Sequence, residues 1–314
     1  MKKILFIDSN HPLLHGMLLE KGFVCDLFYD RPAEELKKLI PNYDGIVIRS
    51  KFKITKEIID SAPNLKCIAR AGAGMENIDV EYARAKGIVC VNSPEGNRDA
   101  VAEQALGMLL ALMNNICRAN KEVRENVWRR EANRGVELGG KTVALIGYGN
   151  TGAAFAKLLS GFDVDVLVYD KYRSGFSKDR IKESSPAEIF EKADVLSLHI
   201  PLTEETNYLV NDAYLQKFGK NIYFINTSRG KCVNTADLVK HIEGGKVIGA
   251  CLDVLEYEAV SFEEVDFSKM PAPMQFILRS DKVILTPHIA GWTHESNVKI
   301  ARFLAEKIIA AFNS

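Results

Sequence analysis

The chain carries no surplus of charge. Its 41 Lys and Arg balance 41 Asp and Glu, for a formal net charge of zero. Nucleic acids are bound largely by neutralising phosphates, so a chain with neither a basic excess nor a long basic run is not expected to bind DNA or RNA. Cysteine is sparse and unpatterned. The six (Cys25, Cys67, Cys90, Cys117, Cys232 and Cys251) form no CxxC pair. That spacing argues against a metal centre or a disulfide framework and for free thiols in a reducing compartment. Several sit in apolar runs such as 88–91, where a thiol behaves as a small hydrophobe. Long apolar runs are missing too; the longest, residues 105–113, is far too short to span a bilayer. The opening MKKILFID has two lysines before an apolar stretch, but Asp8 interrupts it after five residues. An export signal needs a longer apolar core, so a first β-strand is the expectation. Short-period repeats and low-complexity stretches are absent. These absences predict a cytoplasmic protein without membrane or nucleic-acid partners.

What is present is alternation. At 314 residues and 47% hydrophobic content, the chain suits two domains with well-filled interiors. Short β-branched runs at 3–8, 23–28, 45–49, 66–70 and 88–91 are separated by amphipathic segments such as 32–40 and 56–62. Such βα alternation with apolar strands predicts a parallel sheet covered on both faces. A longer helix is expected from Arg98 to about Asn114, with Val101, Ala105, Met108, Leu109 and Leu112 at helical spacing. A charged segment, 118–140, follows. A second βα series then places strands near 142–147, 165–170, 194–199, 222–227, 247–252 and 283–285, before an amphipathic helix at 295–312.

The second series opens on the most informative stretch, TVALIGYGNTGAAFAKLLSGFDVDVLVYD at 142–170. An apolar strand runs into Gly147-Tyr148-Gly149-Asn150-Thr151-Gly152, a helical pattern follows, and a second strand ends in Asp170. Gly147 permits a tight strand-to-helix turn, Gly149 lets backbone approach a pyrophosphate, and Gly152 lets the helix pack closely on the sheet. Free N–H groups at the helix start favour phosphates. Asp170 stands where a carboxylate accepts from both ribose hydroxyls of NAD and repels the added phosphate of NADP. Lys171 and Arg173 lie nearby, but the carboxylate argues for NAD. No metal is expected.

Hydride exchange with an alcohol or ketone needs a proton donor or acceptor at the oxygen and a cation for any substrate carboxylate. Polar residues at the carboxyl ends of the second-series strands are the candidates. Arg229 follows one strand in INTSRG, Asp253, Glu256 and Glu258 follow another in LDVLEYE, His288 follows the last in TPH, and His199 follows a fourth. His288 is the natural acid–base group, because imidazole titrates near neutrality. Alone, each has an ordinary explanation as an ion-paired or hydrogen-bonded surface residue. Three suitable types leaving three strands of one nucleotide domain favour a site.

At these positions the chain resembles the D-isomer-specific 2-hydroxyacid dehydrogenase family. The likeness rests on GYGNTG with Asp170, HIPLTEET (199–206), INTSRG (225–230), LDVLEYE (252–258) and TPHIAG (286–291), and on IVIRS (46–50), IARAGAGMENID (68–79) and NSPEGN (92–97) in the first half. It implies an α/β protein of two doubly wound parallel-sheet domains. One is a discontinuous, flavodoxin-like substrate domain, 1–97 plus 290–314; the other is a Rossmann NAD-binding domain, 98–289. The family's cleft between domains closes on the substrate. The resemblance maps the catalytic residues onto Arg229, Glu258 and His288, with Glu256 as a competing carboxylate whose spacing fits the motif less well. It adds His199, Pro201, Thr206, Thr227, Ser228 and Asp253 to the cofactor surface, the last-named and Thr227 near the nicotinamide. Backbone N–H groups of Ala73 and Gly74 would grip the substrate carboxylate, with Asn97 in the same subsite. The helix from Arg98 looks like the family's dimerisation element, so a homodimer is expected.

Arg49, Arg70 and Arg130 lie outside that catalytic set and match arginines that 3-phosphoglycerate dehydrogenases carry near the substrate phosphate. A guanidinium suits phosphate because its fork donates two parallel hydrogen bonds. The expected reaction is therefore NAD-dependent interconversion of 3-phosphoglycerate and 3-phosphohydroxypyruvate, a step of serine biosynthesis. The alternative is a hydroxypyruvate/glyoxylate reductase or another D-2-hydroxyacid dehydrogenase, and a remote one is an NAD-sensing corepressor-like scaffold. Two departures stand out. Ala259 follows Glu258 where the family usually has proline, and the chain stops at Ser314, so serine feedback through a C-terminal regulatory domain is expected to be absent.

Overall fold

The computed structural model describes residues 1–258 and 267–313; Ala259 lies outside them. The described residues form two compact units, one of 1–98 and 292–313, the other of 99–258 and 267–291.

The first unit is built on strands β1 (Lys3–Phe6), β2 (Val24–Leu27), β3 (Gly45–Ile48), β4 (Cys67–Arg70) and β5 (Val89–Asn92). They pair in parallel in the order β2-β1-β3-β4-β5, the flavodoxin-like arrangement. Alternation along each strand sends side chains to both faces, and both faces are apolar. Ile4, Phe6, Val47 and Ala69 meet Leu14, Leu18 and the residues Ala301, Leu304, Ala305 and Ile308 of the final helix, His294–Asn313. Leu5, Ile7, Ile46, Ile48 and Ile68 meet Leu36, Ile40, Ile58, Ile59 and Ala83 on the opposite side. Each such buried aliphatic contributes roughly 1.5–3 kcal/mol. The final helix thus completes a sheet begun some 290 residues earlier in the chain.

The second unit holds β6 (Thr142–Ile146), β7 (Asp165–Tyr169), β8 (Ile181–Glu183), β9 (Val195–Leu198), β10 (Ile222–Asn226), β11 (Val247–Leu252) and β12 (Val283–Leu285). All pair in parallel, in the order β12-β11-β10-β9-β6-β7-β8. This is the Rossmann order with one further strand, and the direction of winding reverses between β6 and β9. Ligands of such sheets bind outside the carboxyl ends of the strands at that reversal. Ala102, Ala105, Leu109 and Leu112 pack one helix stripe against Val143, Leu145 and Val166.

Three local features differ from the sequence expectation. The long helix spans Pro94–Met113, starting four residues earlier than expected. Proline suits a first helical turn, where its missing N–H has no partner to lose. The charged segment contains a helix, Ile116–Arg124, none of whose residues is buried; its few apolar residues, Ile116 and Val123 among them, stay uncovered in a run that is charged overall. Strand β8 is three residues long and mostly exposed, below what a hydrophobic run can signal. All six cysteines are free; Cys67, Cys232 and Cys251 are buried and Cys117 is exposed. Among the described residues no single helix is long and apolar enough to cross a membrane.

Candidate active site

The turn after β6 is built as its glycines require. Gly147 has φ +98°, a region that L side chains rarely adopt, and a Cβ there would collide with the carbonyl oxygen of His199. A Cβ on Gly152 would collide with the carbonyl oxygen of Gly147, so this helix approaches the turn as closely as backbone permits. Gly149 differs: among the described residues nothing lies within 4 Å of a Cβ placed there, so the space above it is open for a ligand. The helix Asn150–Leu159 starts at this point with Gly149 at its N-cap, leaving the first amides without intrahelical partners. The Tyr148 ring stacks on Phe176 with centroids 4.2 Å apart.

Asp170 sits at the end of β7 beside the turn. Its Oδ2 accepts from Tyr148 N at 2.7 Å, and its Oδ1 from Tyr172 N at 2.8 Å and Arg173 N at 3.0 Å. Burial pushes its pKa up, but these three amides and the Arg173 guanidinium outweigh it and hold the carboxyl below its usual value. A concavity of about 340 Å³ opens here, lined by Asp170, Lys171, Tyr172, Arg173 and Phe176 among others. Charged carboxylate, glycine turn and open space fit the ribose and pyrophosphate of a dinucleotide.

Three residues assigned to the cofactor surface form hydrogen bonds within the protein. His199 is 7% exposed, with Nε2 2.9 Å from Ser197 Oγ and no partner for Nδ1. Burial drives its pKa down to about 3, so the ring is neutral. Its backbone underlies Gly147, so it shapes the turn from below. Thr206 Oγ1 donates to Pro201 O at 2.7 Å and closes a local turn. Ser228 Oγ donates to Leu198 O at 2.7 Å and accepts from Ile200 N at 3.2 Å, joining β10 to β9. Thr227 Oγ1, by contrast, is buried and has no partner among the described residues, an acceptor or donor left for a ligand.

The candidate acid–base pair is assembled from two strand ends. His288 Nδ1 lies 2.7 Å from Glu258 Oε2, and both side chains are largely covered. Glu258 Oε1 accepts from Leu255 N at 2.8 Å, which fixes the carboxylate. Glu256, the competitor, is engaged elsewhere: Tyr208 Oη donates to Oε1 and Thr235 N to Oε2, each at 2.9 Å. His288 has φ +54°, strained for a β-carbon residue. Asp253 holds it there. This carboxylate is 1% exposed and accepts from Thr286 Oγ1 at 2.6 Å, Ile289 N at 2.9 Å and Ala290 N at 2.9 Å, while Asp253 O accepts from His288 N at 2.8 Å. Asp253, expected near the nicotinamide, anchors the histidine loop. A buried carboxylate needs such donors, and three local ones satisfy it.

Arg229 follows β10. Its Nη1 donates to Ser228 O at 2.6 Å, and Asn226 Nδ2 donates to Arg229 O at 2.9 Å. A Cβ on Gly230 would collide with the backbone of Leu255 and Glu256, so the arginine loop lies directly on the loop that carries Glu258.

The remaining residues fall in separate units. Arg49, Arg70, Ala73, Gly74 and Asn97 belong to the first, whereas Arg130 lies in the second on an exposed turn before residues Glu131–Asn133. Arg49 and Arg70 leave adjacent parallel strands, β3 and β4. The Arg70 guanidinium lies over Gly72, whose φ of +149° and missing side chain make room for it. Asn97, in the first turns of helix Pro94–Met113, has a buried Oδ1 without a partner.

A sheet of this strand order, with a glycine turn at its point of reversal, is the architecture of dinucleotide-binding proteins, and the His–Glu pair equips this one for proton transfer. Similarity to known proteins narrows the class. A family model described as the D-isomer specific 2-hydroxyacid dehydrogenase, NAD binding domain, matches residues 106–290. A D-3-phosphoglycerate dehydrogenase of Archaeoglobus fulgidus is 37% identical over 92% of this chain and 53% of its own. A hydroxypyruvate reductase of Thermotoga maritima is 37% identical over 88% of this chain and 87% of its own. The crystal structure of a D-lactate dehydrogenase from Aquifex aeolicus, complexed with NAD and lactic acid, superposes with a TM-score of 0.82 at 28% identity, covering 98% of this chain and 95% of that one. The chain belongs to the D-isomer specific 2-hydroxyacid dehydrogenase family and carries its NAD-binding domain. It spans about half the length of the phosphoglycerate dehydrogenase it matches and most of the length of the reductase.

Proposed function

We propose that this protein is an NAD-dependent D-2-hydroxyacid dehydrogenase whose substrate pair is 3-phosphoglycerate and 3-phosphohydroxypyruvate. The observation that carries the enzymatic reading is the 2.7 Å contact of His288 with Glu258, in the same unit as the glycine turn. Bound NAD supplies the hydride acceptor, or NADH the donor. Gly147–Gly152 and the following helix start hold its pyrophosphate, Asp170 its ribose hydroxyls, and Thr227 faces the nicotinamide end. Arg229 binds the substrate carboxylate and polarises the neighbouring carbonyl. In reduction, His288 donates its Nε2 proton to the carbonyl oxygen; in oxidation it accepts the proton of the hydroxyl. Glu258, bound to Nδ1, selects the tautomer and orients the ring. Asp253 keeps the loop of His288 in its strained conformation.

The phosphorylated substrate is supported by Arg49 and Arg70 at the carboxyl edge of the first unit's sheet, the latter against Gly72 just before the Ala73–Gly74 loop that we assign to the carboxylate. Arg130 is the third member of that reading. The second reading, a hydroxypyruvate or glyoxylate reductase, is favoured by the reductase relative that matches most of its length. A homodimer belongs to the same proposal, supported by exposed Ile116, Val123 and Trp128 on and after the uncovered helix Ile116–Arg124. So does a cytoplasmic setting with a place in serine synthesis, which the free cysteines suit. The deciding experiment is a comparison of kcat/KM with NADH for phosphohydroxypyruvate, hydroxypyruvate, glyoxylate and pyruvate. Preference for the phosphorylated acid is expected; a higher value for any of the others sinks the phosphate assignment.

A further inference from the structure

Trp292 is the first residue of the returning segment of the first unit and was singled out by no motif. It is 60% exposed, unusual for so large an apolar side chain, and it stands immediately before Thr293, which caps the final helix by accepting from Ser296 N at 3.0 Å. The Arg49 guanidinium lies over its ring, 4.7 Å from the centroid. The backbone of Arg49 is pinned separately. Its N–H donates to Asp8 Oδ2 at 2.5 Å, and its carbonyl accepts from Asn77 Nδ2 at 3.1 Å. Among the described residues the guanidinium has no hydrogen-bond or ion-pair partner; the indole is what fixes its direction. Neighbouring Lys51 makes the contrast plain, because its ammonium is tied to the carbonyls of Phe28 and Tyr29.

An arginine held by a ring face keeps all its N–H donors in the guanidinium plane available. We propose that Trp292 is a positioning residue that holds Arg49 as a preset donor to the anionic group of the substrate. This rests on the reading that the first unit binds the oxo acid. Stacking restricts the arginine's rotamers before the substrate arrives, so less entropy is lost on binding. The effect belongs to substrate binding and not to proton or hydride transfer.

The test is steady-state kinetics on the full chain with NADH and the oxo acid that the wild type prefers. Trp292→Leu keeps an apolar cover and removes the ring. At a partly exposed site the stacking is worth enough to raise KM roughly 2–5-fold, with kcat unchanged. Trp292→Phe should recover most of the loss. Arg49→Ala should raise KM further, and adding Trp292→Leu to it should change nothing more. If Arg49→Ala raises KM while Trp292→Leu does not, or if Trp292→Leu has the same effect with and without Arg49, the positioning role is overturned and the substrate reading stands. If Arg49→Ala leaves KM unchanged, the assignment of Arg49 to the substrate falls, and the role of Trp292 with it.

Discussion

Acidification should destabilise the NAD-binding unit through one residue, His199. Its imidazole is enclosed, bonded through Nε2 to Ser197 and unpartnered at Nδ1, and burial lowers its pKa from 6.5 to about 3. In the unfolded chain the ring regains an ordinary pKa near 6.5. Between these values the unfolded state binds the extra proton, so stability rises with pH across that window. The contribution is complete above pH 6.5 and is lost as pH falls toward 3. From pH 7 to pH 5 the loss is about 1.5 pKa units at 1.36 kcal/mol each, or about 2 kcal/mol. This figure does not depend on the folded value so long as that lies well below 5. The assay is urea unfolding at pH 5 and pH 7 of the wild type and His199→Asn, in a Trp292→Phe background. The remaining tryptophan, Trp128, then reports the unit that holds His199. Carboxylate contributions cancel in the comparison. The wild type should lose about 2 kcal/mol more than the variant. Losses equal to within about 0.5 kcal/mol would refute the reasoning. Because the His199 carbonyl underlies Gly147, NADH affinity should fall in the same pH range.

Two further outcomes follow from the geometry. Glu258→Gln should lower kcat roughly 10-fold or more, since general acid–base catalysis is worth 10²–10⁴ and depends on the orientation of His288, whereas Glu256→Gln should leave kcat near wild type and cost about 1 kcal/mol of stability through Tyr208 and Thr235; equal kinetic losses in the two variants would mean that the carboxylates are assigned the wrong way round. Light scattering should give about twice the chain mass of 35.0 kDa, and Val123→Glu with Trp128→Glu should halve it; a wild-type mass of one chain would remove the dimer.

The fold was largely legible because its signals are local. Strand and helix periods, and glycines three and five residues apart at a strand–helix junction, are short-range patterns that backbone sterics translate directly into turns. The departures come from elements that add little to a core. Helix Ile116–Arg124 is charged overall and buries none of its few apolar residues, and strand β8 is three residues long. At the site, residue types and strand ends were legible, but not the direction in which each side chain points. His199, Thr206 and Ser228 turned out to bond within the protein, and a strand-end motif cannot reveal that.

The class is legible along the chain: two βα series, a dinucleotide turn at 147–152 closed by Asp170, and an arginine, an acid and a histidine following later strands. The tertiary structure alone settles which acid meets the histidine, since Glu256 and Glu258 differ by two positions and the choice lies in partners 21 to 48 residues away. Only it made Asp253 the anchor of the His288 loop, 33 to 37 residues on, and set Arg49 on Trp292 across most of the chain. Hydrogen bonds and ring contacts act over a few ångströms of space. Sequence spacing constrains that distance only within a turn or two, and the packing of strands on a sheet fixes the rest.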